Sequence, residues 1–237
     1  MINPCFSALA FALTLTLGFP LGAGAVTTAV DVAGDGPLGK VEGTVSYTPF
    51  SPTAGKLSFA LTNTSPVGNG GFMTALVFDL PNSVSYDSFR FSSISSTPAF
   101  SPILDNGNGN SPTKAEPYGA FKVGASSTGD FLGGGRPNSG LPVGETGWFD
   151  FALTGSGLNT LTIADFVEAG SVFGEDGVFF VTRFMGFEDG GSNKTEVGVT
   201  FFHHVPDSGT SLALLAPCVL GLLAACSRGR RRSRRTA

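Results

Sequence analysis

Residues 56–63 read Lys-Leu-Ser-Phe-Ala-Leu-Thr-Asn, with Leu57, Phe59 and Leu61 separated by Ser58 and Thr62. An apolar side chain at every second position fits an extended strand with one buried and one wet face, and does not fit a helix. The pattern recurs. In Lys40 to Tyr47, Val41, Val45 and Tyr47 share a face. In Gly147 to Thr154, Phe149, Phe151 and Leu153 share one face, and Trp148, Asp150 and Ala152 take the other. Phe72 to Leu80 is almost continuously apolar, as in a strand buried on both faces. Val84 to Phe91 follows the breaker Pro81-Asn82, and Val178 to Phe187 and Glu196 to Phe202 complete the set. With connections rich in Gly, Pro and Asn, these strands predict a mainly β fold, an antiparallel, jelly-roll-like β-sandwich.

One short helix interrupts the strands. Thr162 is placed to cap it, with Asp165 three residues on. Ile163, Phe166 and Val167 form an apolar stripe at helical spacing, and Gly170 is read as the C-terminal stop. Its expected role is to cover one end of the sandwich. The chain has 22 Phe. A ring that fills space between sheets without a polar atom to satisfy belongs in a core, so most of them are assigned there. Trp148 and Tyr118 are the two aromatics considered as a carbohydrate platform.

The charge is unevenly placed. Of 14 basic residues, six lie in the last ten positions, which leaves eight in Val26 to His204. Of 18 acidic residues only Asp207 lies outside that span, so the body carries a net charge of −9. Such a body is a poor partner for nucleic acid. The three cysteines are Cys5, Cys218 and Cys226. The body therefore has no disulfide and no thiolate metal site, and packing alone must hold it.

No catalytic, cofactor or metal set stands out in the body, and a non-enzyme is expected. Asp105 to Asn110 and Glu188 to Asn193 resemble calcium loops in composition, but they lack the closing bidentate acid. Asx and Gly turns are expected there. His203 and His204 are adjacent, so on a strand they point to opposite faces. There is no Gly-x-Ser-x-Gly turn, and the glycine-rich stretch from Gly119 to Gly147 lacks the Lys-Ser/Thr ending of a phosphate loop. Asn193-Lys194-Thr195 matches a glycosylation sequon.

The two ends of the chain carry address information. Residues 1–25 read as a signal peptide, with an apolar run from Phe6 to Leu17 and the small-residue cleavage site Ala23-Gly24-Ala25. At the other end, residues 205–237 fall into three parts. Val205, Pro206, Asp207, Ser208 and Gly209 form a short polar motif. Thr210 to Cys226 is an uncharged apolar segment of about 17 residues, near the lower limit for crossing a bilayer as a helix. Residues 227–237 form a tail with Arg228, Arg230, Arg231, Arg232, Arg234 and Arg235 and no acid. Arginines directly beyond an apolar span stay cytoplasmic, which puts residues 26–204 on the far side of the membrane.

Motif, span and basic tail in this order resemble the VPDSG variant of the bacterial PEP-CTERM sorting signals. The resemblance covers about the last 33 residues. It implies that the signal is read by an exosortase, a membrane-embedded cysteine protease-transpeptidase. It also implies removal of span and tail, then release or re-attachment of the body. The body resembles, loosely, the β-sandwiches of such proteins, often linked to extracellular matrix or biofilm polysaccharide. The expected partners are thus an exosortase-type enzyme, the inner membrane and an extracellular polysaccharide. The expected location is the cell surface or medium. A permanent single-span membrane protein is the alternative.

Overall fold

The computed structural model of the chain describes residues 26–94, 100–108, 110–134, 136–170 and 178–204. The signal peptide with Ala23 and Ala25, the motif Val205 to Gly209, the segment Thr210 to Cys226 and the arginine tail lie outside the described residues. Among the described residues, no helix is long and apolar enough to cross a membrane.

The strands are β1 (Thr28–Asp35), β2 (Lys40–Ser51), β3 (Ala54–Asn63), β4 (Gly70–Phe78), β5 (Val84–Ser93), β6 (Ser101–Leu104), β7 (Val123–Ser126), β8 (Leu141–Pro142), β9 (Thr146–Gly155), β10 (Val178–Phe187) and β11 (Ser192–His204). All pair antiparallel in one sheet, in the order β5-β9-β3-β2-β1-β11-β10-β4-β7-β6, with β8 beside β7 on the same edge of β4. The two ends of this path, β5 and β6, come back together, so the sheet is nearly closed. Near-closure leaves few unpaired backbone groups at sheet edges. The expectation of a mainly β, antiparallel fold with one helix is met.

The period-two pattern explains the interior. In β3 every second residue is buried, Leu57, Phe59 and Leu61 among them, and in β9 Phe149, Phe151 and Leu153 are buried. Phe59 sits at the centre. Its ring lies 4.9 Å from that of Phe78 in β4, 5.8 Å from Phe151 in β9 and 5.3 Å from Phe180 in β10. One wall of the rolled sheet therefore meets the opposite wall through phenylalanine edges and faces. Each fully buried ring contributes about 1.5–3 kcal/mol of transfer free energy.

The continuous burial of β4 has a specific cause. Its inner side chains Leu76 and Phe78 join the central core. Its outer side chains Ala75 and Val77, with Val181 of β10, lie under a second cluster built from Ile103, Ala115, Phe121 and Phe131. The chain segments around β6 and β7, with Ala115, Phe121 and Phe131, thus supply a cover for the outer face of β4 and β10. Arg183 pins this cover, its Nη1 donating to the carbonyls of Phe131 (2.7 Å) and Gly133 (2.9 Å). Burial pushes the Arg183 pKa down, opposed by Asp130.

The helix, α1, spans Ile163–Gly170. The Asp165 carboxylate accepts from the Thr162 backbone N–H (2.7 Å) and hydroxyl (3.0 Å), which is the return half of a capping box. The Ile163 N–H donates instead to Thr28 Oγ1 at 2.7 Å. Ile163 and Phe166 enter the core, and α1 packs on β10, β1 and β2, with the Phe166 ring 4.7 Å from that of Tyr47. The helix ends at Gly170, as expected, and a Cβ there would lie 2.4 Å from the Phe179 carbonyl oxygen. Gly170 thus also permits close approach to β10.

Candidate functional site

The wall formed by β5, β9, β3 and β2 has an outer face, and the register of these strands decides what stands on it. One row runs Ser92, Trp148, Ala60, Thr44 and, on β1, Asp31. The row beside it runs Arg90, Asp150, Ser58 and Ser46. Between them lies an open groove of about 450 Å³. Trp148 is 38 % exposed, against complete burial of Phe149 and Phe151 on the same strand. Its cross-strand neighbours Ala60 and Ser92 are too small to cover an indole.

Polar groups flank the indole. Asp150 accepts from the Ser58 hydroxyl at 2.5 Å and lies 3.5 Å from Lys56 Nζ. The Thr44 hydroxyl donates to Asp31 at 3.1 Å. An ion pair this exposed and this long is worth at most about 1 kcal/mol, so a ligand can re-pair Lys56 and Asp150 at little cost. A single exposed tryptophan is ordinary on a protein surface. Here it stands in a groove rimmed by hydroxyls, the Asp150 carboxylate and the Lys56 ammonium, with Arg90 across from Asp150 on the neighbouring strand. An apolar surface with a few convergent polar groups is the usual make-up of a small-molecule or sugar site.

The structure separates the two aromatics considered as one platform. Tyr118 packs, partly buried, against the second cluster over β4 and β10, while Trp148 faces out from β9. They form no joint surface, so the platform reduces to Trp148. The two acidic-amide loops are turns where described. The Asp105 and Asn106 side chains accept from the backbone N–H of Gly107 and Asn108 at 3.0 Å, and Asp189 accepts from that of Gly191 at 2.8 Å. The backbones of His203 and His204 lie at the end of β11, opposite Ala29 and Thr28.

Sequence pattern alone put Trp148 and Asp150 on one face. It missed Lys56, Ser58 and Arg90 as their neighbours, because neighbourhood across strands depends on the pairing order. The alternation in residues 56–63 already marked Ser58 as outward. A second polar centre lies at the end of β4. Asp79 is buried, accepts from the Lys122 N–H at 3.0 Å and leaves Oδ2 without a partner among the described residues. Burial pushes its carboxyl up to about 6, against the lowering effect of Lys122. Lys122 Nζ is held by the Leu80 carbonyl and Asn82, and the pair reads as a brace for the β6–β7 hairpin.

No family model, curated protein or solved structure matches the chain.

Proposed function

We propose that the protein is an exported, non-enzymatic surface or matrix protein whose β body binds an extracellular polysaccharide in the groove beside Trp148. The observation that carries the binding half is the exposed indole between Ala60 and Ser92, with Asp150, Ser58 and Lys56 beside it. A sugar ring has apolar C–H faces that pack on a flat aromatic surface, and hydroxyls that need donors and acceptors at its edge. The groove is open, which suits a chain that continues past it in both directions.

Export and sorting rest on the ends of the sequence. The signal peptide, the VPDSG motif, the apolar span and the arginines support transport across the inner membrane and processing by an exosortase-type enzyme. The jelly-roll-like sandwich is the finer description we attach to the fold. The contact of opposite walls through Phe59, Phe78 and Phe180 supports it.

The test of binding is a pull-down of the purified body, residues 26–204, on insoluble and immobilised polysaccharides, with Trp148→Ala beside the parent. Retention of the parent and loss of at least about tenfold in affinity for the variant is expected, since removing a stacking aromatic costs on the order of 1–3 kcal/mol. Equal retention of both would remove the groove from the account.

A further inference from the structure

The body has eight cationic side chains, and most are already engaged. Lys40 pairs with Asp35, Lys56 with Asp150 and Lys114 with Glu116. Lys122 and Arg183 are held by carbonyls, and Lys194 by the Glu116 carbonyl. Only Arg90 and Arg136 have no polar or ionic partner among the described residues. Arg136 lies in the cover near Pro137. Arg90 is exposed on β5, directly across from Asp150, and Trp148 is its diagonal neighbour on β9.

This register is informative. Asp150 is the natural partner of Arg90 across the strands, yet its two oxygens face Ser58 and Lys56 on β3. The guanidinium is left with five donors in a planar fork that matches a carboxylate. Diagonal neighbours on a sheet are about 7–8 Å apart, within reach of long side chains. A sugar ring stacked on Trp148 thus presents its exocyclic substituent to Arg90. Lys56 already faces Asp150 and the Thr44 hydroxyl already faces Asp31, so Arg90 is the cation beside the groove whose charge no neighbouring carboxylate engages among the described residues.

We infer that the groove selects an acidic polysaccharide: Trp148 stacks a hexuronate ring and Arg90 pairs with its carboxylate. This rests on the glycan-binding reading above and adds the ligand class. The body's overall negative charge repels polyanions at long range, so the recognition is local to Arg90.

The experiment is affinity electrophoresis of the body in gels containing polygalacturonate, alginate or hyaluronan, each beside the same polymer with its carboxylates methyl-esterified. Retardation by at least one acidic polymer and about tenfold less by its ester is expected. Arg90→Gln should lose that tenfold preference while still binding the ester as the parent does, Arg90→Lys should recover part of it, and Trp148→Ala should lose both forms. Equal retardation by acid and ester, or an Arg90→Gln variant with undiminished preference, would overturn the acidic selectivity and leave glycan binding standing. Binding to none of the six polymers would overturn both. Circular dichroism of each variant separates loss of binding from loss of fold.

Discussion

Asp79 shows how a single buried group ties the fold to pH. Its carboxyl is pushed up to about 6 because burial penalises the charge more than the Lys122 N–H and ammonium relieve it. In the unfolded chain the same group titrates near 3.9. Below about pH 4 both states hold the proton. As pH rises from about 4 to 6 the unfolded state releases it and the folded state keeps it, so this group's contribution to stability falls through that window and stays lost above it. Asp79→Asn keeps an acceptor for the Lys122 N–H and removes the titration. Urea unfolding at pH 4.5 and 7.5 checks this. The variant should gain on the order of 1 kcal/mol relative to the parent at pH 7.5 and little at pH 4.5. A gain of the same size at both pH values would mean that the buried charge is not the cause.

At the scale of elements, α1 depends on one missing side chain. Gly170→Ala places a Cβ 2.4 Å from the Phe179 carbonyl oxygen, and backbone cannot yield as a flexible side chain does. A loss of about 1–3 kcal/mol is expected, read as a lower urea midpoint with unchanged slope. If the stop at Gly170 were only a matter of backbone freedom, the cost would stay near or below 1 kcal/mol. The strands were legible where one face is wet and one dry. Leu57, Phe59 and Leu61, or Phe149, Phe151 and Leu153, admit no other reading. β1 was not read, although Val30 and Val32 alternate in it, because Ala29, Ala33 and Gly34 dilute the signal. β6 and β7 were not read because four residues give too few periods, and their burial comes from the cover over β4. The site was legible as Trp148 and Asp150 on one face. Its remaining members depend on β5 pairing with β9 and β9 with β3, contacts between segments some 60 to 90 residues apart, which no local pattern encodes.

For the whole molecule, the proposed glycan binding requires a body that meets polysaccharide, and the proposed export through the two ends of the sequence would bring it there. The motif is expected to act in processing rather than insertion. Replacing Pro206, Asp207 and Ser208 together by Ala should leave the protein in the membrane fraction and cause the larger form to accumulate, as seen by immunoblot. A triple variant processed like the parent would make the motif a linker and the protein an ordinary single-span one. The central claim, that the body works outside the cytoplasm, is tested most directly by mass spectrometry of both ends of the protein isolated from its native cells. The account predicts a mature chain that begins at Val26 and lacks the apolar segment Thr210 to Cys226. A chain that still runs from Met1 through Ala237 would contradict it.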